Sequence, residues 1–442
     1  MKPILRNAWR RRTSILVAIG LTSVLAVPVS AGFDVLLQIF RNPGTPGLKG
    51  AQGVTASPEG GYVYVASGKD NALTFFRRDA TAESLSFAGV FKDGANGVFG
   101  LRGASQVAVS PDLQHVYVAS RRDSSLVVFR RDATADTLTF ADVKQNGVGG
   151  VFGLAGATDV VVSPDARHVA VVGRKDDALA LFRRNPGSDF LTPVDLEMGG
   201  FGLASPTAVT MDPSGRNAYV AAFEDNAISV FSRDASLDSL AISSVVADGI
   251  GGINGLKGAS DIAISPDGRN AYVASFVDGT LSVFKRNLLS GALTIFQQIQ
   301  GGGALAGAKA VAVSPDGATV VVATRKGLLC FDRVAEGGLI PSGNIGGDFM
   351  GGGNARVSEI AFSNDNKNLF VVSRGANALL NLGVSATVLS PGGGPQDGGD
   401  AKGDGADDGD VTVGDGDGTG QGLSSDASGA LDVSGVGRRG GR

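Results

Sequence analysis

Few residues in this chain are equipped for chemistry. Its 442 residues include one Cys and two His. A single thiol, Cys330, excludes an intramolecular disulfide and a Cys-based zinc site, and two imidazoles exclude a His-rich metal centre. Any Ser–His–Asp device would have to use His115 or His168. Both begin a predicted second strand in equivalent positions of adjacent repeats, where they read as surface residues rather than as a general base. Cys330, mid-strand before Phe331, reads as a core residue and not a nucleophile.

The other candidates are charged turn residues. The candidate ligand-binding set is Lys69, Arg122, Lys175, Glu224, Arg325, Lys326 and Arg374. Its cations would attract an acidic small molecule or acidic glycan, Arg being suited to bidentate carboxylate recognition. The plainer alternative is solvated turn charges paired with neighbouring Asp. Asp70, Asp123, Asp176, Asp225 and Asp278 in the same turns either ring a mouth and bind calcium or serve the hairpins, and turn duty is the expectation. Glycine-rich stretches such as 93–100, 145–150 and 248–252 could present backbone N–H nests. No Lys-Ser/Thr follows them as in a P-loop, and close passage of the chain between units is the expected reason for the glycines. Arg356 and Glu359 enter the last unit. With Glu224, Arg325, Lys326 and Arg374 they make the fourth, sixth and seventh units the most divergent sector, where a site would lie.

These residues are carried by a repeat. Ala51-Gln-Gly-Val-Thr-Ala-Ser-Pro58, Ala104-Ser-Gln-Val-Ala-Val-Ser-Pro111, Ala157-Thr-Asp-Val-Val-Val-Ser-Pro164, Ala259-Ser-Asp-Ile-Ala-Ile-Ser-Pro266 and Ala308-Lys-Ala-Val-Ala-Val-Ser-Pro315 are versions of one string, with degenerate copies ending at Pro213 and Asn364. A period of 49 to 53 residues marks an array of supersecondary units. Each unit holds four alternating segments rich in Val, Tyr, Phe and Thr, in the second unit Gln106–Ser110, His115–Ser120, Ser125–Arg131 and Thr137–Lys144, as half-buried strands require. Ser-Pro-Asp makes the first turn. Seven such units predict an all-β, seven-bladed propeller of four-stranded antiparallel blades. The seventh unit lacks its fourth strand, and Asp34–Phe40 matches the pattern of one. This N-terminal strand is expected to close the ring and remove exposed edges.

The repeat resembles the lactonase-type seven-bladed propellers, which include 6-phosphogluconolactonase and carboxymuconate-cyclase relatives. The likeness is greatest to their secreted, regular members. It implies a propeller over about 360 residues and, for the enzymatic members, lactone chemistry. Those members tend to carry His-Pro where this chain has Ser-Pro, and their central His and Arg/Glu cluster has no matching motif here.

Two flanking segments differ in kind. Residues 1–31 have a basic start (Lys2, Arg6, Arg10, Arg11, Arg12), an apolar run from Ile15 to Val27 and a small-residue end at Ala31, as in a cleavable signal peptide. The run is too short for a membrane span of roughly 20 residues. Export to the periplasm or cell exterior is expected, with no stable membrane insertion after cleavage. The propeller is assigned to 32–391. Residues 392–442 hold ten Asp, 18 Gly and no aromatic residue and read as a disordered acidic tail. Asp415, Asp417 and Asp426 in it partly match a calcium loop, although Gly422 and the lack of flanking helices speak for plain low complexity. No cofactor is required, and calcium is the only one the spacing suggests. With 39 basic and 43 acidic residues, nucleic acid is not an expected partner.

The near-identical blades and the lack of a convergent polar cluster favour an exported, monomeric, non-catalytic scaffold that binds an acidic small molecule, glycan or protein at its top face. The alternative is a lactonase-like hydrolase acting on an acidic sugar or muconate-type lactone.

Overall fold

The computed structural model describes residues 35–132, 137–185, 187–346 and 356–384. The signal-like start, the acidic tail and its Asp415, Asp417 and Asp426 lie outside them. Seven four-stranded antiparallel sheets follow one another. The innermost strands are β2 (Ala51–Ala56), β6 (Ala104–Val109), β10 (Ala157–Val162), β14 (Pro206–Met211), β18 (Ala259–Ile264), β22 (Ala310–Val313) and β26 (Val357–Phe362). The predicted strands of the second unit match β6 to β9, which end at Thr137–Gln145.

The ring closes as the sequence predicts. Strand β1 (Val35–Arg41) pairs with β28 (Ala378–Gly383), the third strand of blade 7, and supplies that blade's missing edge. Asn377 Oδ1 then accepts the Gly50 N–H at 2.7 Å, joining blade 7 to blade 1.

The second strand of each blade lies between neighbouring sheets. Tyr62–Ser67, His115–Ser120 and Asn217–Ala222 are buried along their whole length. Such a strand has no solvent face, which accounts for runs like Val-Tyr-Val-Ala in place of strict alternation.

Between blades the packing is fastened by charge. In six blades the Arg near the end of the third strand reaches an acid in the first turn of the preceding blade. Arg78 meets Asp365 at 2.8 Å, Arg184 meets Asp112 at 2.8 Å, Arg233 meets Asp165 at 2.6 Å and Arg333 meets Asp267 at 2.7 Å. Arg286 pairs with Asp212, and Arg131 with Glu59 at 2.6 Å. Five of these guanidiniums, all but Arg131, also donate to a carbonyl of their own blade's turn, as Arg78 does to Gly60. At the blade 6–7 junction Asn366 donates to Asp316 at 2.6 Å instead.

His115 and His168 belong to this network and not to the surface. His168 is 0% exposed. Its Nδ1 accepts Arg233 Nε at 3.1 Å and its Nε2 faces Asp238 Oδ1 at 2.9 Å. His115 lies between Arg184 and Asp189 in the same manner. Burial lowers the pKa of both rings, against the pull of their aspartates. They replace the Asn found at this position in other blades, such as Asn217 and Asn270, and act as structural links beside the latch arginines.

Removing one partner of a buried pair leaves an uncompensated charge, at a cost of about 3–5 kcal/mol. Asp212 is fully buried, whereas Asp267 is 40% exposed. Arg286→Ala is therefore expected to destabilise by several kcal/mol, and Arg333→Ala by clearly less because water can reach Asp267. Denaturant titration of the two variants checks the order.

Candidate active site in the central channel

The site is built from a defect repeated around the ring. In six blades the pairing of the first strand with the second slips by one residue near its start, at Ala51/Gly53, Ala104/Gln106, Ala157/Asp159, Pro206/Ala208, Ala259/Asp261 and Val357/Glu359. Such a bulge re-aims side chains, and here two successive residues per blade reach the channel region.

The first of each pair usually fastens blades together. Ser105 Oγ donates to Ala119 O of its own blade and Ala157 O of the next, both at 3.0 Å. Thr158, Thr207 and Ser260 repeat the arrangement. Blade 6 departs from it. Lys309 occupies this place, and its amine makes no hydrogen bond or ion pair among the described residues. It stands exposed to channel water while ringed by protein.

The second of each pair forms a floor of carboxyl and amide groups. Asp159 accepts the Val160 N–H at 2.8 Å and, from the next blade, the Val209 N–H at 2.7 Å. Asp261 treats Ile262 and Val311 alike, at 2.8 Å each. These two aspartates bridge blades whose own residues here are Ala208 and Ala310. Glu359 differs. Its Oε1 accepts the Ile360 N–H at 3.2 Å, and its Oε2 accepts Gln106 Nε2 at 3.3 Å across the first blade. Gly53 leaves room for that reach, since a Cβ there would sit 2.7 Å from Gln106 Cα.

Burial dominates the electrostatics. It pushes Asp159 up to about 7, partly offset by the two N–H donors. Asp261 rises to about 6 for the same reason. Glu359 is held well above the usual carboxyl range by burial, then by the charges of Asp261 and Asp159. Lys309 is lowered by enclosure, with Arg121 and Arg374 adding to the effect and Glu359 and Asp261 opposing it.

Above the floor the walls come from the first residue of each strand 2–3 turn. Arg121 and Arg174 line a cavity of about 300 Å³, faced by Phe223 and Phe276. Arg121 is lowered by burial and by its neighbours Arg174 and Arg374. None of these three guanidiniums forms an ion pair among the described residues. Arg174 Nε donates to Ser205 Oγ at 2.6 Å and lies 5.4 Å over the Phe223 ring. The two phenylalanine rings stand 6.4 Å apart.

The candidate rim residues occupy the outer mouth. Lys69, Arg122, Lys175, Glu224 and Arg374 line a wider opening together with Arg121 and Arg174. The Lys69 and Arg122 stems cross Gly50 and Gly103, where a Cβ would lie 2.7 and 2.8 Å from their Cγ atoms. Arg325 crosses Gly307 and sets its guanidinium 4.7 Å over Phe276. Lys326 is exposed beside it.

The turn aspartates face their own loops. Asp70, Asp123, Asp176, Asp225 and Asp278 accept the N–H groups of Lys49, Arg102, Ala155, Ala204 and Lys257 at 2.8 to 3.0 Å. Among the described residues no three His, Cys, Asp or Glu side chains gather as a metal site. Several loop glycines, including Gly94, Gly97 and Gly147, face open space with positive φ. Backbone conformation rather than close passage selects them. Cys330 is buried, its thiol pushed up to about 12.

Reasoning from sequence missed Lys309, Asp159, Asp261, Arg121 and Arg174. The signal was the one Lys in the repeated Ala-Ser/Thr-x-Val string and the acids that follow it in other copies, which read as strand residues until the bulge turns them inward.

The model of the lactonase family with a seven-bladed β-propeller matches residues 45–209, 146–248 and 204–340. The chain belongs to this lactonase family. Solved structures share its fold. A candidate 6-phosphogluconolactonase of Bacteroides uniformis is 19% identical, covering 70% of this chain and 88% of its own, with a TM-score of 0.56. The periplasmic gluconolactonase of Pseudomonas aeruginosa is 18% identical, covering 72% and 95%, with a TM-score of 0.56. A Lactobacillus plantarum protein is 20% identical, covering 67% and 85%, also at 0.56. A search of curated proteins gives no match.

The lactonase-family propeller carries two sets of shifted acids with opposite effects on stability. Asp165 and Asp267 of the latches are depressed to about 2. They stay charged in the fold while the unfolded chain takes up protons near 3.8, so their contribution is lost as pH falls from 4 toward 2. Asp159 and Asp261 keep their protons up to about 7 and 6, which the unfolded chain releases near 3.8. Their contribution is lost as pH rises through that window. The melting temperature is expected to peak at about pH 4–5, and Asp159→Asn to flatten the decline on the alkaline side. Scanning calorimetry across pH reads both.

Proposed function

We propose that this protein is a lactonase-like hydrolase whose active site is the channel mouth and whose substrate is an acidic sugar or muconate-type lactone. The carrying observation is the set of three arginines that form no ion pair among the described residues, Arg121, Arg174 and Arg374, above a floor of raised carboxyls. The outer strands of the blades repeat, as a scaffold's would. The channel lining does not repeat: blade 6 gives up its inter-blade hydroxyl for Lys309, and Glu359 reaches across to Gln106. The family match also favours hydrolysis over the non-catalytic scaffold expected from the near-identical blades.

Lactone hydrolysis adds water across the ring ester. In this reading the arginines hold the substrate's acidic group and draw charge onto the carbonyl oxygen. Glu359, as carboxylate, takes a proton from the attacking water. The ring oxygen leaves with a proton, and the product is the open hydroxy acid. Asp159 and Asp261 have both oxygens committed to backbone N–H groups and hold the bulges in shape. A base whose pKa is raised toward neutrality suits the task, so the rate should climb with pH above the ordinary carboxyl range.

Acid release by the full chain on a panel of sugar and muconate-type lactones tests this. Glu359→Gln is expected to lower kcat by about 10²-fold or more. Arg121→Ala, Arg174→Ala and Arg374→Ala should raise KM through the lost hold on the acidic group and also lower kcat where the charge on the carbonyl oxygen is no longer stabilised. No turnover by the native protein on any panel member would reject the hydrolase and leave the binding scaffold.

A further inference from the structure

We propose that Lys309 is a reactive amine that captures small anionic carbonyl compounds, α-keto acids and carboxylate-bearing aldehydes, as imines, while Arg121 and Arg374 hold their carboxylate. This assignment shares the anion-holding arginines with the hydrolytic reading but does not depend on hydrolysis.

Blade 6 has given up a tie to its neighbour. Ser105, Thr158, Thr207 and Ser260 use this position to tie two blades through paired carbonyl acceptors. Lys309 forgoes that tie, and its side chain replaces it with no bond of its own among the described residues. Its backbone remains fixed: the N–H donates to Ala323 O at 2.8 Å, and the carbonyl accepts Ser260 Oγ at 3.1 Å. The result is an amine that makes no bond among the described residues, on a strand held at both its N–H and its carbonyl, and open to the channel.

The surroundings suit an amine that spends part of its time uncharged. Two cations, Arg121 and Arg374, act on it from the mouth, and enclosure works in the same direction, against Glu359 and Asp261. A neutral amine is nucleophilic. Its lone pair adds to the carbonyl carbon, and the oxygen departs as water, taking two protons from the amine by way of a neighbouring acid. Glu359 and Asp261, with raised pKa values, can relay them. The product is a C=N bond, with no oxidant or reductant consumed.

The test treats the full chain with glyoxylate and sodium cyanoborohydride, which reduces imines to stable secondary amines, and maps adducts by peptide mass spectrometry. Lys309 is expected to label severalfold faster than surface lysines such as Lys69 and Lys175, because a lowered pKa leaves more of the amine free. Gluconate should protect it. Arg121→Ala should slow labelling by glyoxylate severalfold more than labelling by propionaldehyde, which carries no carboxylate and feels only the loss of the nearby positive charge. Lys309→Met should lose the adduct and keep the native circular dichroism. Equal labelling of all lysines, or an unlabelled Lys309, would overturn the proposal. So would indifference of the labelling to the Arg121 substitution. Hydrolysis is assayed apart, so an absent adduct with intact turnover rejects Lys309 alone, and an adduct without turnover rejects only the hydrolase.

Discussion

The ring depends on a buried guanidinium reaching from one blade to the turn of the one before. Arg233 shows the geometry: a side chain 3% exposed, paired with Asp165 at 2.6 Å and bonded to the Gly215 carbonyl of its own blade and to the His168 ring. A propeller blade shares no backbone ladder with its neighbour, so its alignment rests on side-chain packing and on such latches. A buried ion pair is weak evidence for net stability, but it fixes position, because any sliding of the blades would strand a charge. With six Arg-based latches and the β1–β28 pairing holding the circle, the innermost strands are free to carry irregularities.

That freedom is where function has room. The bulge near the start of the first strand recurs in six blades and costs regular pairing each time. Serine and threonine hydroxyls repair the loss by bridging to the next blade, and Asp159 and Asp261 do so with carboxylates. Once neighbours supply this repair, single blades can diverge. Lys309 and Glu359 are the divergences, and both point into the space that Arg121 and Arg174 enclose. Acidic groups beneath and cations above set up opposed fields over a short depth, an arrangement suited to receiving an anion and moving a proton beside it.

Much of the fold was legible in the sequence. The repeat period, the Ser-Pro-Asp turns and the stray strand at 34–40 sufficed for seven blades and their closure, because each reports local chemistry. The site was less legible. The exposed second residues of the top turns, Lys69, Arg122 and Lys175, attracted attention as charges, while the neighbours Arg121 and Arg174 looked equivalent. Only the turn geometry distinguishes the inward side chain from the outward one. Asp159 and Asp261 alternate like any strand residue until the bulge is known. His115 and His168 misled in the other direction, since a polar residue after a turn suggests surface, and here the Arg latch of the next blade covers it.

The most direct measurement is arginine footprinting of the full chain with phenylglyoxal, with and without gluconate, read by mass spectrometry. If the channel mouth is the anion site, gluconate protects Arg121, Arg174 and Arg374 and leaves exposed arginines such as Arg102 and Arg130 reacting as before. Protection confined to other arginines, or no protection at saturating gluconate, would contradict the account and place ligand binding elsewhere on the protein.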